Sequence, residues 1–121
     1  MPIQIVDLFA GPGGLGEGFS SLNNGSSFRI AVSAEMETSA YSTLKLRSFF
    51  RLIQSDPQAK KKYYEVCNGQ KDWSWESISP VAWAEAGEEA HQLTLGVQSD
   101  NVKLDELLVR LSVFTMILLT F

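Results

Sequence analysis

Cysteine is almost absent from this chain of 121 residues: there is one, Cys67. A lone thiol forms no internal disulfide and builds no multi-thiolate zinc site, so a disulfide-stapled scaffold and a structural zinc module are both excluded. Histidine also occurs once, at His91. Glu88 stands three residues before it, but no further ligand follows at a metal-binding spacing, and no metal site is expected. Long hydrophobic runs are missing too. The uncharged stretch 111–121 is about half of the ~20 residues needed to cross a bilayer, so no membrane span is expected. No basic segment precedes an apolar one at the start of the chain, and Asp7 comes early. That predicts no secretory leader and a cytoplasmic protein.

Positive charge is scarce. Ten Lys and Arg face fourteen Asp and Glu, for a formal net charge of −4. The deficit is uneven: residues 1–65 carry seven cations and six acids, residues 66–121 three and eight. No stretch has the dense basic face that tracks a phosphate backbone, so most of any DNA-binding surface is expected to lie outside these residues. The run Lys60-Lys61-Lys62-Tyr63-Tyr64 reads as the wet face of a helix with its tyrosines turned inward. Trp73, Trp75 and Trp83, in acidic surroundings, read as anchors of helices to a core rather than as a stacking platform. What is plentiful is ordinary. With 45% hydrophobic and 20% charged residues the chain has the makings of a single globular domain, not of a disordered one.

The opening residues hold the clearest pattern. Residues 3–9 form a short apolar run that stops at a glycine cluster, which predicts a buried strand. A helix of about two turns is predicted over 15–22, a turn at Asn23-Asn24-Gly25-Ser26, and a second strand over 28–34 that ends at Glu35. Strand, loop, helix, turn and strand make one right-handed crossover unit. The spacing of Ala40, Leu44, Phe49, Leu52 and Ile53 predicts a helix over 38–54. Asp56-Pro57 and Ser79-Pro80 each place a capping side chain before a proline suited to the first helical position. They predict helices over 57–66, stopping near Asn68-Gly69, and over 81–95, stopping at Gly96. Asp100 is expected to cap a last helix over 102–111. Residues 113–121 read as an apolar strand that wants neighbours on both sides, with none following. The expectation is an α/β domain cut short, with a mostly parallel sheet flanked by helices, its first strand left at an edge and its solubility poor.

Gly11-Pro12-Gly13-Gly14-Leu15-Gly16 fits G-x-G-x-x-G between a strand and a helix, and Glu35 closes the next strand. Glycines let a backbone turn sharply and let a ligand approach. The helix N-terminus favours an anionic group, and a carboxylate at the neighbouring strand tip can accept from ribose hydroxyls. Gly16 is followed by Glu17-Gly18, not by Lys, which excludes a nucleotide P-loop. Asp7 would repel a pyrophosphate but suits an ammonium or sulfonium group, to which Phe9 adds an aromatic face. These requirements point to S-adenosylmethionine. A nicotinamide or flavin dinucleotide remains the alternative ligand.

The segment Val6-Asp7-Leu8-Phe9-Ala10-Gly11-Pro12-Gly13-Gly14-Leu15-Gly16-Glu17-Gly18-Phe19 resembles the first motif of DNA (cytosine-5) methyltransferases, and Ala34-Glu35-Met36-Glu37 resembles their second. The likeness covers residues 3–53. It implies a Rossmann-like S-adenosylmethionine-dependent methyltransferase fold, with a cofactor unit in 1–55, a helical insertion in 56–112 and a strand in 113–121. It implies that Phe9, Ala10, Gly11, Gly13 and Gly14 line the methionine end of the cofactor beside Asp7. Glu35 would hold the ribose, and Met36 would lie against the adenine. The implied reaction is methyl transfer to C5 of cytosine in DNA, as in restriction–modification.

That chemistry needs a thiolate to attack C6 of a base turned out of the duplex. In the resembled family this cysteine sits in a Pro-Cys-Gln loop, and no Pro-Cys occurs here. Cys67, in Glu65-Val66-Cys67-Asn68-Gly69, reads as a small half-buried hydrophobe, so no catalytic residue is assigned. The chain is therefore expected to be inactive alone and to meet DNA through regions it lacks. A complementary methyltransferase chain is its expected partner; the rival expectation is an inert or interaction-only remnant.

Overall fold

A computed structural model of the chain describes residues 2–111 and 115–119. In chain order the elements are β1 (Ile3–Leu8), α1 (Gly14–Ser21), a 3-10 turn (Leu22–Gly25), β2 (Phe28–Glu35), α2 (Thr38–Leu52), α3 (Pro57–Cys67) and α4 (Trp75–Ile78). They continue with α5 (Pro80–Glu89), β3 (Ala90–Gln92), α6 (Gln98–Leu108) and β4 (Thr115–Leu119). The strands form one sheet in the order β3-β2-β1-β4, and every pair is parallel. An all-parallel sheet flanked by helices is an α/β architecture, consistent with a Rossmann-like fold.

The order reverses at β1. From β1 the chain steps outward to β2 and β3, then returns to lay β4 on the other side. Right-handed crossovers then place α1 and α2 on one face and α6 on the other. Packing agrees: Val6, Val32 and Ala34 share a core with Leu93 and Leu104, while Gly16 of α1 stands over Asp7 and Ile30. A bulge in β2 makes this possible. Ile5 aligns with Ile30 but Val6 with Val32, so the extra residue Ala31 turns in with Val32 against the α6 side. β1 is interior, not the edge the sequence suggested, because β4 pairs along residues 4–8.

Capping fixes the helix starts. The Glu37 carboxylate accepts from the Ser39 and Ala40 N–H groups, Asp56 from Ala59, Ser74 from Ser77 and Ser79 from Ala82. Pro57 and Pro80 stand in the first turns of their helices, as the sequence predicts. Two predicted boundaries fail. The helix expected over 81–95 ends at Glu89, and Ala90–Gln92 becomes β3 against residues 33–35 of β2. Ala-His-Gln has little strand preference of its own; the edge of β2 supplies it. The last helix begins at Gln98 rather than 102, and Asp100 is not its cap. The Asp100 carboxylate instead accepts the Thr94 N–H at 2.8 Å, and Asn101 Oδ1 accepts that of Gly96 at 2.9 Å. The predicted strand over 113–121 contains β4, while Val113, Phe114, Thr120 and Phe121 lie outside the described residues. Among the described residues no helix is long and apolar enough to cross a membrane.

On the outer side of α2 a second core joins Phe49, Ile53, Ala59, Ala82 and Ala86. Trp75 and Trp83 close over Phe49, with ring centres 6.0 and 5.6 Å away, and Tyr63 meets Trp75 at 5.3 Å. This wall of α2, α3 and α5 anchors the helices that stand behind the glycine loop.

Candidate cofactor site

β1 delivers the chain to the carboxyl end of the sheet, beside the point where strand order reverses. Phe9 leaves it at φ +56°, a left-handed conformation that bulky residues rarely adopt. The buried Ala10 donates its N–H to the Ala34 carbonyl at 3.0 Å, which holds the loop root against β2. Gly13 then starts α1 at φ +94°. The positive φ demands glycine, and a Cβ there would also press on the Leu44 Cδ1 methyl of α2 at 2.9 Å. Gly16 is the close-approach position: its Cβ would stand 3.2 Å from Asp7 Oδ2, and α1 sits tightly on the sheet because none is there. Over Gly11 and Gly14 the situation is opposite. A Cβ on either would meet nothing within 4 Å, so the loop presents open space.

Glu35 ends β2 and reaches across to this loop. Its Oε1 accepts the Gly11 N–H at 3.1 Å and its Oε2 the Glu37 N–H at 2.9 Å. The acid and the glycine turn, 24 residues apart, thus occupy one place. Met36 follows, 60% exposed, and Phe9 is 42% exposed at the same end of the sheet. Asp7 is set apart from the others. It is fully buried on β1 under α1, so it offers the loop no surface contact.

Behind the loop lies a clamp that no local motif announces. Arg51 of α2 donates from Nε to Glu17 Oε1 at 2.7 Å, and from Nη1 and Nη2 to the two Glu89 oxygens at 3.1 and 2.6 Å. Burial opposes the guanidinium charge, but hydrogen bonds and attraction from Glu89 and Glu17 outweigh it and raise the pKa above its ordinary value. One side chain thereby ties the glycine-loop helix α1 to α2 and α5.

Other sequence candidates fall elsewhere. Cys67 is exposed in the last turn of α3, not half-buried as expected, because that turn covers it on the Tyr63 side alone. Beside it, partial burial and the Cys67 side chain push the Tyr63 phenol up to about 12. His91 Nε2 lies 2.7 Å from the Glu88 carbonyl oxygen, and among the described residues no three metal-ligating side chains cluster. Trp75 and Trp83 pack as expected, whereas Trp73 is exposed. Sequence reading also missed a cleft of about 770 Å³ at the amino ends of the strands, lined by Arg29, Arg51, Glu85, Glu88 and Arg110. It opens where β3 leaves the first part of β2 uncovered, at the opposite end of the sheet from the glycine loop. Compared with known proteins, the chain matches no family model, no curated protein and no solved structure.

Proposed function

We propose that this chain is the S-adenosylmethionine-binding N-terminal portion of a DNA (cytosine-5) methyltransferase, and that its own task is to hold the cofactor. The contact of the Glu35 carboxylate with the Gly11 N–H carries this reading, because it joins the sugar-recognising acid to the glycine turn. The open space over Gly11 and Gly14 leaves room for a ligand there. Glu35 would accept from the ribose hydroxyls, and the N-terminus of α1 would receive the carboxylate. Phe9 offers an aromatic face to a cation and Met36 a polarizable side chain to the adenine. When bound, the cofactor supplies an electrophilic methyl group.

The nucleophile and most DNA contacts are assigned outside this chain. Its one thiol, Cys67, is preceded by Val66 rather than by proline and stands on α3. β4 favours completion by a complementary methyltransferase chain. Met116, Ile117 and Leu119 are exposed on it, yet strands of parallel sheets are normally covered on both faces.

Calorimetric titration with S-adenosylmethionine, S-adenosylhomocysteine and NAD tests the reading. The first two are expected to bind and NAD to bind far more weakly. Glu35→Gln should weaken cofactor binding by about tenfold, as for a lost hydrogen bond to a charged group. Folded protein that ignores both sulfur nucleosides, or prefers NAD, would end the proposal. Methyl incorporation into unmodified DNA by the purified chain alone would overturn the assignment of catalysis elsewhere.

A further inference from the structure

The loop after α3 is folded back onto its helix. Gly69, at φ +73°, donates its N–H to the Val66 carbonyl at 3.0 Å, and Gln70 donates to that of Glu65 at 2.8 Å. This pair of bonds is the glycine-terminated helix stop known as the Schellman motif. The Lys71 N–H also reaches the Glu65 carbonyl, at 3.3 Å. The reversal brings Trp73 beside the helix it has just left. Lys62 Nζ lies 5.6 Å from the Trp73 ring centre and Lys71 Nζ 5.4 Å from it. Unlike Trp75 and Trp83, this indole is 38% exposed and joins no core cluster.

The local charge runs against that of the rest of the chain. Residues 60–73 hold four lysines against Glu65 and Asp72, whereas the remaining residues hold six cations against twelve acids. An exposed indole with two ammonium groups over its ring brings together what a single nucleic-acid strand uses: a base stacks on the ring as a lysine swings off it to pair with phosphate. A duplex offers phosphates but no open base, and an acidic peptide offers charge without a flat π system.

We propose that this patch, with Trp73 as the stacking surface and Lys62 and Lys71 as phosphate contacts, binds single-stranded nucleic acid. It stands apart from the glycine loop and does not rest on what that loop holds. Fluorescence anisotropy of a short labelled oligothymidylate at low salt tests it. Trp73→Ala should weaken binding by about tenfold or more, and Trp73→Phe should restore most of it. A double Lys62→Glu, Lys71→Glu variant should weaken binding and flatten its salt dependence. Circular dichroism of each variant should match the parent, and affinity for S-adenosylmethionine should be unchanged, so a failure here is distinct from a failure of the cofactor reading. Oligothymidylate binding that survives both Trp73→Ala and the double variant would overturn the proposal. Equal binding of a duplex of the same length, or equal competition by oligoglutamate, would also overturn it.

Discussion

Phe9 and Phe49 show how differently two regions of this molecule use the same side chain. Phe49 is completely enclosed, with Trp75 and Trp83 against its ring. Phe9 stands 42% exposed at the end of the sheet, on a backbone that is left-handed. A left-handed bulky residue costs about 1–3 kcal/mol, and an exposed ring returns little of the apolar stabilisation a buried one gives. The wall of α2, α3 and α5 is organised for stability. The glycine loop spends some of it to hold apolar groups and open space at one end of the sheet.

The sharpest break of this contrast is Phe49→Ala. It should destabilise the protein by about 3–5 kcal/mol in urea titrations, with cofactor binding lost only as folding is lost. Arg51→Met comes next, because it cuts the tie between the two regions. A fully buried pair broken on one side costs about 3–5 kcal/mol; water reaches Glu17, so about 2 kcal/mol is expected here, seen as a lower Tm. The same variant should speed hydrogen exchange in α1 more than in α3. Phe9→Gly should separate stability from binding. Relief of the left-handed strain should offset part of what the lost ring costs, keeping stability within about 1 kcal/mol of the parent, while S-adenosylmethionine affinity in calorimetry falls several-fold.

The smallest effect concerns alkaline pH. Folding raises the Tyr63 pKa from its ordinary 10.0 to about 12, so the neutral phenol is favoured in the folded state. That contribution is complete below pH 10 and disappears as pH rises through the folded value. Chemical denaturation across that window should show Tyr63→Phe less sensitive to alkali than the parent. An identical pH slope in the two proteins would show that the wall does not perturb this group.

What could be read from the residues were features fixed by neighbours in sequence. The crossover unit, the caps at Asp56 and Ser79 and the glycine turn all depend on residues within a few positions of one another. Glu35 was placed beside the loop by the length of that unit, and its contact with Gly11 follows. β3, the bulge at Ala31 and the Arg51 clamp have no such signal. Ala90–Gln92 is a strand because β2 has an edge to pair with, and Arg51 finds acids 34 and 38 positions away. The tryptophans show the limit most clearly. All three lie in one acidic region, yet Trp75 and Trp83 point into the wall and Trp73 out of it, a choice made by the chain reversal at Gly69.

The two borders of the sheet are unequal, and this sets how many neighbours the molecule can accept. On one side β3 is three residues long and Arg29 marks the uncovered part of β2, which gives an intruding strand few bonds and a charge to bury. On the other side β4 offers five residues with exposed Met116, Ile117 and Leu119. A particle sticky along one border is monovalent: joined through that border about a two-fold axis, its assembly closes at a pair, whereas endless ribbons need both borders. Self-association of this chain should therefore saturate at a dimer, and a strand supplied from elsewhere would cap the same border.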